Sequence, residues 1–340
     1  MLRLVAAVIG LTATVPAAHA VPCAALSEMN AEAGGVSLVV IKDGALACED
    51  YPAPGAPDRA WELASGTKSF SGIMAAAAVQ DGLLRLDEPV AATLEEFRGD
   101  PALEQITIRD VLSLTSGLSF GEHDRIGRPP AYDQAAGAAR SVAARGATFV
   151  YGPGPFQLFG AVMQRKLDAA GLDADPAAYF QRRIFDPLGI VPARWRDRGG
   201  DPHLPSGVAL TARDWAVFGV FVLEGGAWGG EHLVDARAFA EQFQGTAANP
   251  AYGLGWWLAE PVDPARSADI RQLRRATDIT EAGAAWPDVY MAAGAGKQRL
   301  YVIPSEGVVA VRQTDRVMAS LRGRGPDWSD VAFVELLLSD

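Results

Sequence analysis

Between Gly66 and Gln80 the chain is apolar on almost every side: Phe70, Ile73, Met74, Ala75 to Ala78 and Val79 leave no polar stripe. A helix of that kind has no face to offer water, so other elements must wrap it all round. This requires a fold large enough to hold one helix at its centre. A chain of 340 residues, 49% hydrophobic and 21% charged, has the material for it. The same balance excludes a disulfide miniprotein, a disordered tail and a collagen-like fibre. With 30 basic against 41 acidic residues the net charge is -11 and no basic stretch occurs. That argues against nucleic acid or an anionic membrane surface as a partner. Only four of the basic residues are lysines, Lys42, Lys68, Lys166 and Lys297. Any chemistry that needs an amine has four places to live.

The first twenty residues read as a segment outside the fold. Met1-Leu2-Arg3 is followed by an apolar run to Val15 and then by Ala18-His19-Ala20. A charged start, a short apolar core and a small-x-small site predict an export signal cleaved after Ala20. The run is broken by Thr12, Thr14 and Pro16, too short to span a membrane, and no second run of membrane length follows. The mature chain is thus expected to be soluble and periplasmic or secreted. In that compartment the even pair Cys23 and Cys48 is expected to form a disulfide.

Local patterns give an order of elements. Val36–Ile41 and Ala45–Cys48 flank Lys42-Asp43-Gly44 as a hairpin. Thr107 and Asp110 have the spacing of a capping box, with Gly117 as the stop, and Thr211 and Asp214 repeat it ahead of Trp215, Phe218 and Val222. Phe156–Ala169 and Ala177–Phe185 are further helices. Tyr252–Leu258, Asp288–Ala292, Arg299–Ile303 and Gly307–Arg312 are short runs of β-formers, and Trp328–Leu338 is a closing amphipathic helix. Strands at both ends with helices between them predict a sheet built from the two termini around a mostly helical insertion.

The sharpest chemical signal is Ser65-Gly66-Thr67-Lys68 at the start of the buried helix. Serine and lysine three apart share one helix face. The positive end of the helix dipole stabilises a developing alkoxide at Ser65, and a backbone N–H there can serve an oxyanion. Burial disfavours an ammonium, which would let Lys68 accept the serine proton. Taken alone, the same residues also fit a simple N-cap with a rim lysine.

The blocks Trp61-Glu62-Leu63-Ala64-Ser65-Gly66-Thr67-Lys68-Ser69-Phe70, Asp81–Val90, Ile106–Leu118, Phe185-Asp186-Pro187-Leu188-Gly189, Leu210–Asp214 and Tyr252–Trp256 come in an order that resembles the serine β-lactamase-related family. That family includes class C β-lactamases, D-alanyl-D-alanine carboxypeptidases, EstB-type esterases and nylon-oligomer hydrolases. The resemblance covers most of residues 35–315. It implies an α+β fold, an antiparallel sheet flanked by N- and C-terminal helices with an inserted mostly helical region. After the signal, residues 21–340 would form one catalytic domain, its sheet part about 33–80 plus 205–340 and its insert about 81–204. It also implies acyl-enzyme hydrolysis of a small-molecule ester or amide without metal or cofactor, with an active site between sheet and helices.

Against the family's Tyr-x-Asn motif stands Tyr151-Gly152-Pro153, followed by Leu158-x-Gly160. The resemblance makes Tyr151 a general base or acid beside Lys68. Pro153 takes the place of the amide and has neither side-chain amide nor N–H. That counts against β-lactam and peptide hydrolysis and leaves Ser65, Lys68 and Tyr151 as a set suited to an ester or a small amide. The third motif falls at Ala292-Ala293-Gly294, with no cationic side chain, and Ala293–Arg299 is closer to the Gly-x-Gly-Gly-Gln form of nylon-oligomer hydrolases. Gly294, Ala295, Gly296 and Lys297 are therefore the candidate substrate and oxyanion residues, with Lys297 either at the rim of the site or facing solvent.

Three decoys are set aside. Gly117-Leu118-Ser119-Phe120-Gly121 satisfies G-x-S-x-G, but a helix precedes it where a nucleophile elbow needs a strand. Gly296-Lys297 lacks the other positions of a phosphate-binding loop, and His123, His203 and His232 show no metal-ligand spacing. Three functional readings remain: a Ser65-dependent esterase or amidase, a β-lactamase or carboxypeptidase, and a catalytically silent penicillin-binding-like protein.

Overall fold

The computed structural model describes residues 21–124, 129–262, 277–282, 286 and 288–339. The expected export signal and its cleavage site at Ala20 lie outside the described residues.

Helix α1 (Cys23–Glu32) leads into the hairpin of β1 (Gly35–Lys42) and β2 (Ala45–Asp50). The hairpin turns on Asp43 and Gly44, with φ of 50° and 75°. Positive φ at both central residues matches the twist of the strands, which is why Asp-Gly works there. The expected disulfide is present: Cys23 and Cys48, with Cα atoms 5.5 Å apart, tie α1 to β2. The fully apolar segment becomes α2 (Lys68–Gln80), and every residue from Lys68 to Ala78 is buried. After it come short helices at Ile108–Leu112 and Pro176–Phe180, the longer α3 (Gly154–Ala169), and then α4 (Ala212–Leu223). Both N-caps form as expected, but the helix after Thr107 ends at Leu112, short of the expected stop at Gly117. The Thr107 and Thr211 hydroxyls accept from the N–H groups of Asp110 and Asp214 at 3.2 and 3.0 Å. The chain closes with β3 (Trp257–Leu258), β4 (Tyr290–Gly294), β5 (Gln298–Ile303), β6 (Val308–Thr314) and α5 (Asp330–Leu337).

Six strands form one antiparallel sheet in the order β3-β4-β5-β6-β1-β2. Strand β1 therefore sits beside the last strand, with Leu38 opposite Arg312 and Val40 opposite Ala310. On one face lies α4. A Cβ on Gly219 would come within 2.5 and 2.7 Å of Val309 and Leu300, so the helix backbone rests directly on β5 and β6. Helices α1 and α5 cover the other face. Arg299 and Arg312, opposite each other on β5 and β6, are fully buried beneath them. Asp330 at the start of α5 accepts from Arg299 at 2.6 and 3.1 Å and from the Tyr301 hydroxyl at 2.6 Å, while Arg312 stacks on Trp328 at 3.7 Å.

One expected strand is shorter than its sequence suggests. Of Tyr252–Leu258 only Trp257–Leu258 pairs with β4, and Tyr252 folds back to bridge Trp257. Gly255, at φ +91°, makes this bend, and a Cβ on it would approach the Lys68 carbonyl oxygen to 2.5 Å. The segment bends to cap α2 instead of extending the sheet.

Candidate active site

Ser65 is delivered by a short strand and a strained turn. Trp61 and Glu62 pair with Leu210 and Ala209, and Leu63 N–H continues to the Val208 carbonyl at 3.0 Å. Ala64 then adopts φ +47°, a left-handed conformation uncommon for a residue with a Cβ. A 3-10 turn, Ala64–Thr67, feeds straight into α2 and leaves Ser65 half-buried at the positive end of the helix.

Lys68 opens α2 and is only 4% exposed. Its Nζ lies 3.1 Å from Ser65 Oγ and 3.0 Å from the carbonyl oxygen of Pro205. The faces of Tyr151 and Phe156 lie 4.8 and 5.5 Å away. Burial lowers the amine to about 7, and no carboxylate among the described residues offsets it. A lysine so placed is substantially neutral near pH 7 and can take a proton.

Tyr151 comes from the loop before α3. Its ring stacks on Trp257 at 5.6 Å and meets Tyr252 edge-on at 6.2 Å, so the bent segment that caps α2 also holds the tyrosine. Burial pushes the phenol up to about 12, against the opposing pull of the Ser65 hydroxyl and the Arg299 charge. Tyr151 is thus a phenol, not a phenolate, across the neutral range. Gly160, one of the positions carrying the family likeness, has a packing reason: a Cβ there would overlap the Tyr132 ring at 2.3 Å.

Ser65, Lys68, Tyr151, Gly152, Pro153, Pro205 and Ser206 line one pocket. Its interior of about 20 Å³ has room for a single water. A water fits within it, and an acyl group does not. Pro153, which stands in place of the motif amide, is in the wall.

The oxyanion candidates are placed differently from one another. Gly294 ends β4 against the backbone before Ser65, where a Cβ would lie 2.0 Å from the Leu63 carbonyl oxygen. Ala295, Gly296 and Lys297 form the turn to β5, with φ of 81° at Gly296 and 60° at Lys297. None of the four is among the residues lining the recess. The Lys297 amine is lowered chiefly by burial, and the charges acting on it are Arg299, Asp330, Asp278 and Arg312. Arg299 and Arg312 lie on the sheet face under α1 and α5, and Asp330 and Asp278 lie at the start of α5.

Sequence reasoning missed Pro205 and Ser206, and it missed Gln157. Pro205 contributes a backbone oxygen, which no residue type advertises. Gln157 is fully buried one turn into α3, and a glutamine inside an apolar helix was the available signal. The Ser119 decoy is not an elbow: it sits on the two-residue strand Leu118–Ser119, followed by a 3-10 turn at Gly121–Asp124.

A family model described as beta-lactamase matches residues 24–320. No match is found among curated proteins. Among solved structures, a penicillin-binding protein homologue from Caulobacter crescentus is 17% identical with a TM-score of 0.64, covering 89% of this chain and 95% of its own. The class C β-lactamase of Rhodobacter sphaeroides is 20% identical with a TM-score of 0.61, covering 89% and 97%. EstCE1, a hydrolase with promiscuous acyltransferase activity, is 17% identical with a TM-score of 0.62, covering 89% and 97%. At these identities the likeness establishes the fold.

Proposed function

Because this chain belongs to the beta-lactamase family, whose members are serine hydrolases, we propose that it cleaves a small-molecule ester or amide through an acyl-enzyme on Ser65. The observation that carries this reading is the buried amine of Lys68, 3.1 Å from Ser65 Oγ and lowered to about 7. Ser65 attacks the substrate carbonyl while Lys68 takes its proton. The backbone N–H of Ser65 and one from the end of β4 near Gly294–Gly296 hold the oxyanion. As the carbonyl re-forms, the leaving oxygen or nitrogen takes a proton from the Tyr151 phenol, which recovers one from the Lys68 ammonium. Water in the recess then attacks the acyl group, its proton passing to Lys68 and the Ser65 oxygen regaining one. Lys68 is the first base and Tyr151 the acid in this scheme, because near pH 7 the amine can be neutral and the phenol cannot be ionised.

Pro153 in the pocket wall favours esters and simple amides over β-lactams and peptides, since it cannot orient a substrate amide. We read residues 81–204 as the helical insert and about 33–80 plus 205–340 as the sheet part of one catalytic unit. The Cys23–Cys48 disulfide supports an exported protein, and no helix among the described residues is long and apolar enough to cross a membrane.

The test compares turnover of a chromogenic short-chain ester and a chromogenic β-lactam. Ser65→Ala is expected to lower ester turnover by at least about 10³-fold, and Ser119→Ala to leave it within about 3-fold. Ester turnover that survives Ser65→Ala and is lost in Ser119→Ala overturns the reading. Faster turnover of the β-lactam than of the ester would favour a β-lactamase.

A further inference from the structure

The carbonyl that receives the Lys68 amine belongs to a loop that several side chains pin. Tyr132 donates its hydroxyl to the Pro202 carbonyl at 2.9 Å, and Trp195 donates its ring N–H to the His203 carbonyl at 3.2 Å. The contact nearest the amine's partner is different in kind. Gln157 Oε1 accepts from Leu204 N–H at 3.0 Å, one residue before Pro205, and Gln157 Nε2 donates to the Pro130 carbonyl at 2.8 Å. Gln157 is 0% exposed and uses both ends of its amide on backbone.

We propose that Gln157 is a positioning residue for acyl transfer: it fixes the Pro205 carbonyl, which in turn aims the Lys68 amine at Ser65. The chemistry follows from what a carbonyl can do. It only accepts hydrogen bonds. A neutral amine has two N–H bonds and one lone pair. With one N–H held by the Pro205 oxygen, rotation about the Cε–Nζ bond is restrained and the lone pair is available to the Ser65 hydroxyl. At Pro153 the pocket wall has no amide that could do the same. Gln157 lies four residues further along the chain, one helical turn beyond Pro153, and acts through the loop rather than on the amine. The inference rests on the proposed role of Lys68 as the base.

The experiment reads the lysine directly. The chain has four lysines, so 13C-labelled ε-carbons give four NMR signals, with Lys68 assigned by its loss in Lys68→Met. Titration needs no turnover, so a failure of Ser65 chemistry would defeat the proposed function and leave this readout intact. Gln157→Met keeps length and volume and removes both hydrogen bonds. Losing a fixed acceptor disfavours the ammonium, so the Lys68 signal should titrate about 0.5 unit lower. Phosphonylation of Ser65 by a fluorophosphonate, followed by intact mass, should slow about tenfold. Tyr132→Phe removes a pin three residues from the carbonyl and serves as a control for loosening alone. It should leave the Lys68 titration within 0.1–0.2 unit of wild type, to within about the precision of such a shift. If Gln157→Met does not fold, replacing Ser206 with its α-hydroxy analogue converts the 205–206 amide to an ester and weakens the same carbonyl as an acceptor. The same downward shift is expected. An unchanged Lys68 titration in the folded Gln157→Met protein or in the ester variant overturns the proposal, as does an equal shift in Tyr132→Phe.

Discussion

An amine enclosed by one hydroxyl, one backbone carbonyl and two ring faces is poorly solvated, and its charged form costs free energy. Lys68 bears that cost because no acidic group among the described residues sits beside it. The sign can be worked out. In the unfolded chain the amine titrates near 10.4, and in the folded protein near 7. Between those values the unfolded state binds the extra proton, so stability falls as pH is lowered from about 10 to 7 and levels off below. Lys68→Met should therefore be more stable than wild type by on the order of 1–2 kcal/mol at pH 6, once the orphaned Pro205 and Ser65 oxygens are allowed for. The advantage should shrink and then reverse towards pH 10, since the linkage over that range is about 4 kcal/mol. Melting temperatures of both proteins at pH 6 and pH 10 check this, and an unchanged difference at the two pH values would contradict it. The serine and the lysine were legible in the sequence because helix geometry alone puts positions i and i+3 on one face. Pro205 was not, because a backbone oxygen acquires a role only from where the loop is held, and Gln157 showed only as a polar residue in an apolar helix.

At the scale of elements, α2 shows why its run of small residues is a packing requirement. Phe70 meets Phe218, Phe185 and Phe180 at 4.7 to 5.5 Å on one side. On another, a Cβ on Gly72 would come within 2.3 Å of the Leu254 carbonyl oxygen and 2.7 Å of Gln242 Oε1. The obstacle is backbone, which cannot rotate away. Gly72→Ala should thus destabilise by about 2–3 kcal/mol despite the higher helix propensity of alanine, as overpacking outweighs a gain of about 1 kcal/mol. Denaturant unfolding measures it, and a neutral or stabilising result would show that the Leu254 loop can yield. That loop leads into Trp257, which stacks on Tyr151, so the same substitution should lower turnover as well. Helix starts were readable here from Thr107 and Thr211, whose caps use neighbours three residues away. The bend at Gly255 was not readable, since the backbone it packs against, the Lys68 carbonyl, is far off in sequence.

On the scale of the whole molecule, the sheet is closed by its ends. Strand β1 lies between β6 and β2, and α1 and α5 cover the face where Arg299 and Arg312 are buried. Burial alone would raise the Asp330 carboxyl, but the Arg299 charge and hydrogen bonds outweigh it and hold it at about 2. Asp330→Ala leaves Arg299 charged and without this partner in a dry interior. It should cost about 3–5 kcal/mol, read as a fall in the denaturation midpoint, with α5 losing protection from hydrogen exchange first. A loss below about 1 kcal/mol would mean that water or other groups take over the arginine.

Several things were settled by residues and their near neighbours: the buried helix, the hairpin at Asp43-Gly44, both helix caps, the pairing of the two cysteines and the family likeness around Ser65 and Lys68. Each depends on interactions within a few positions, on pattern period, or on there being one possible partner. Tertiary structure alone decided that burial raises the Tyr151 phenol, that the Pro205 carbonyl receives the Lys68 amine, that Gln157 holds the loop beside it, and that two arginines lie inside. Those outcomes are set by desolvation and by contacts between distant segments. Both depend on which surfaces the folded chain removes from water, and a one-dimensional pattern does not record that.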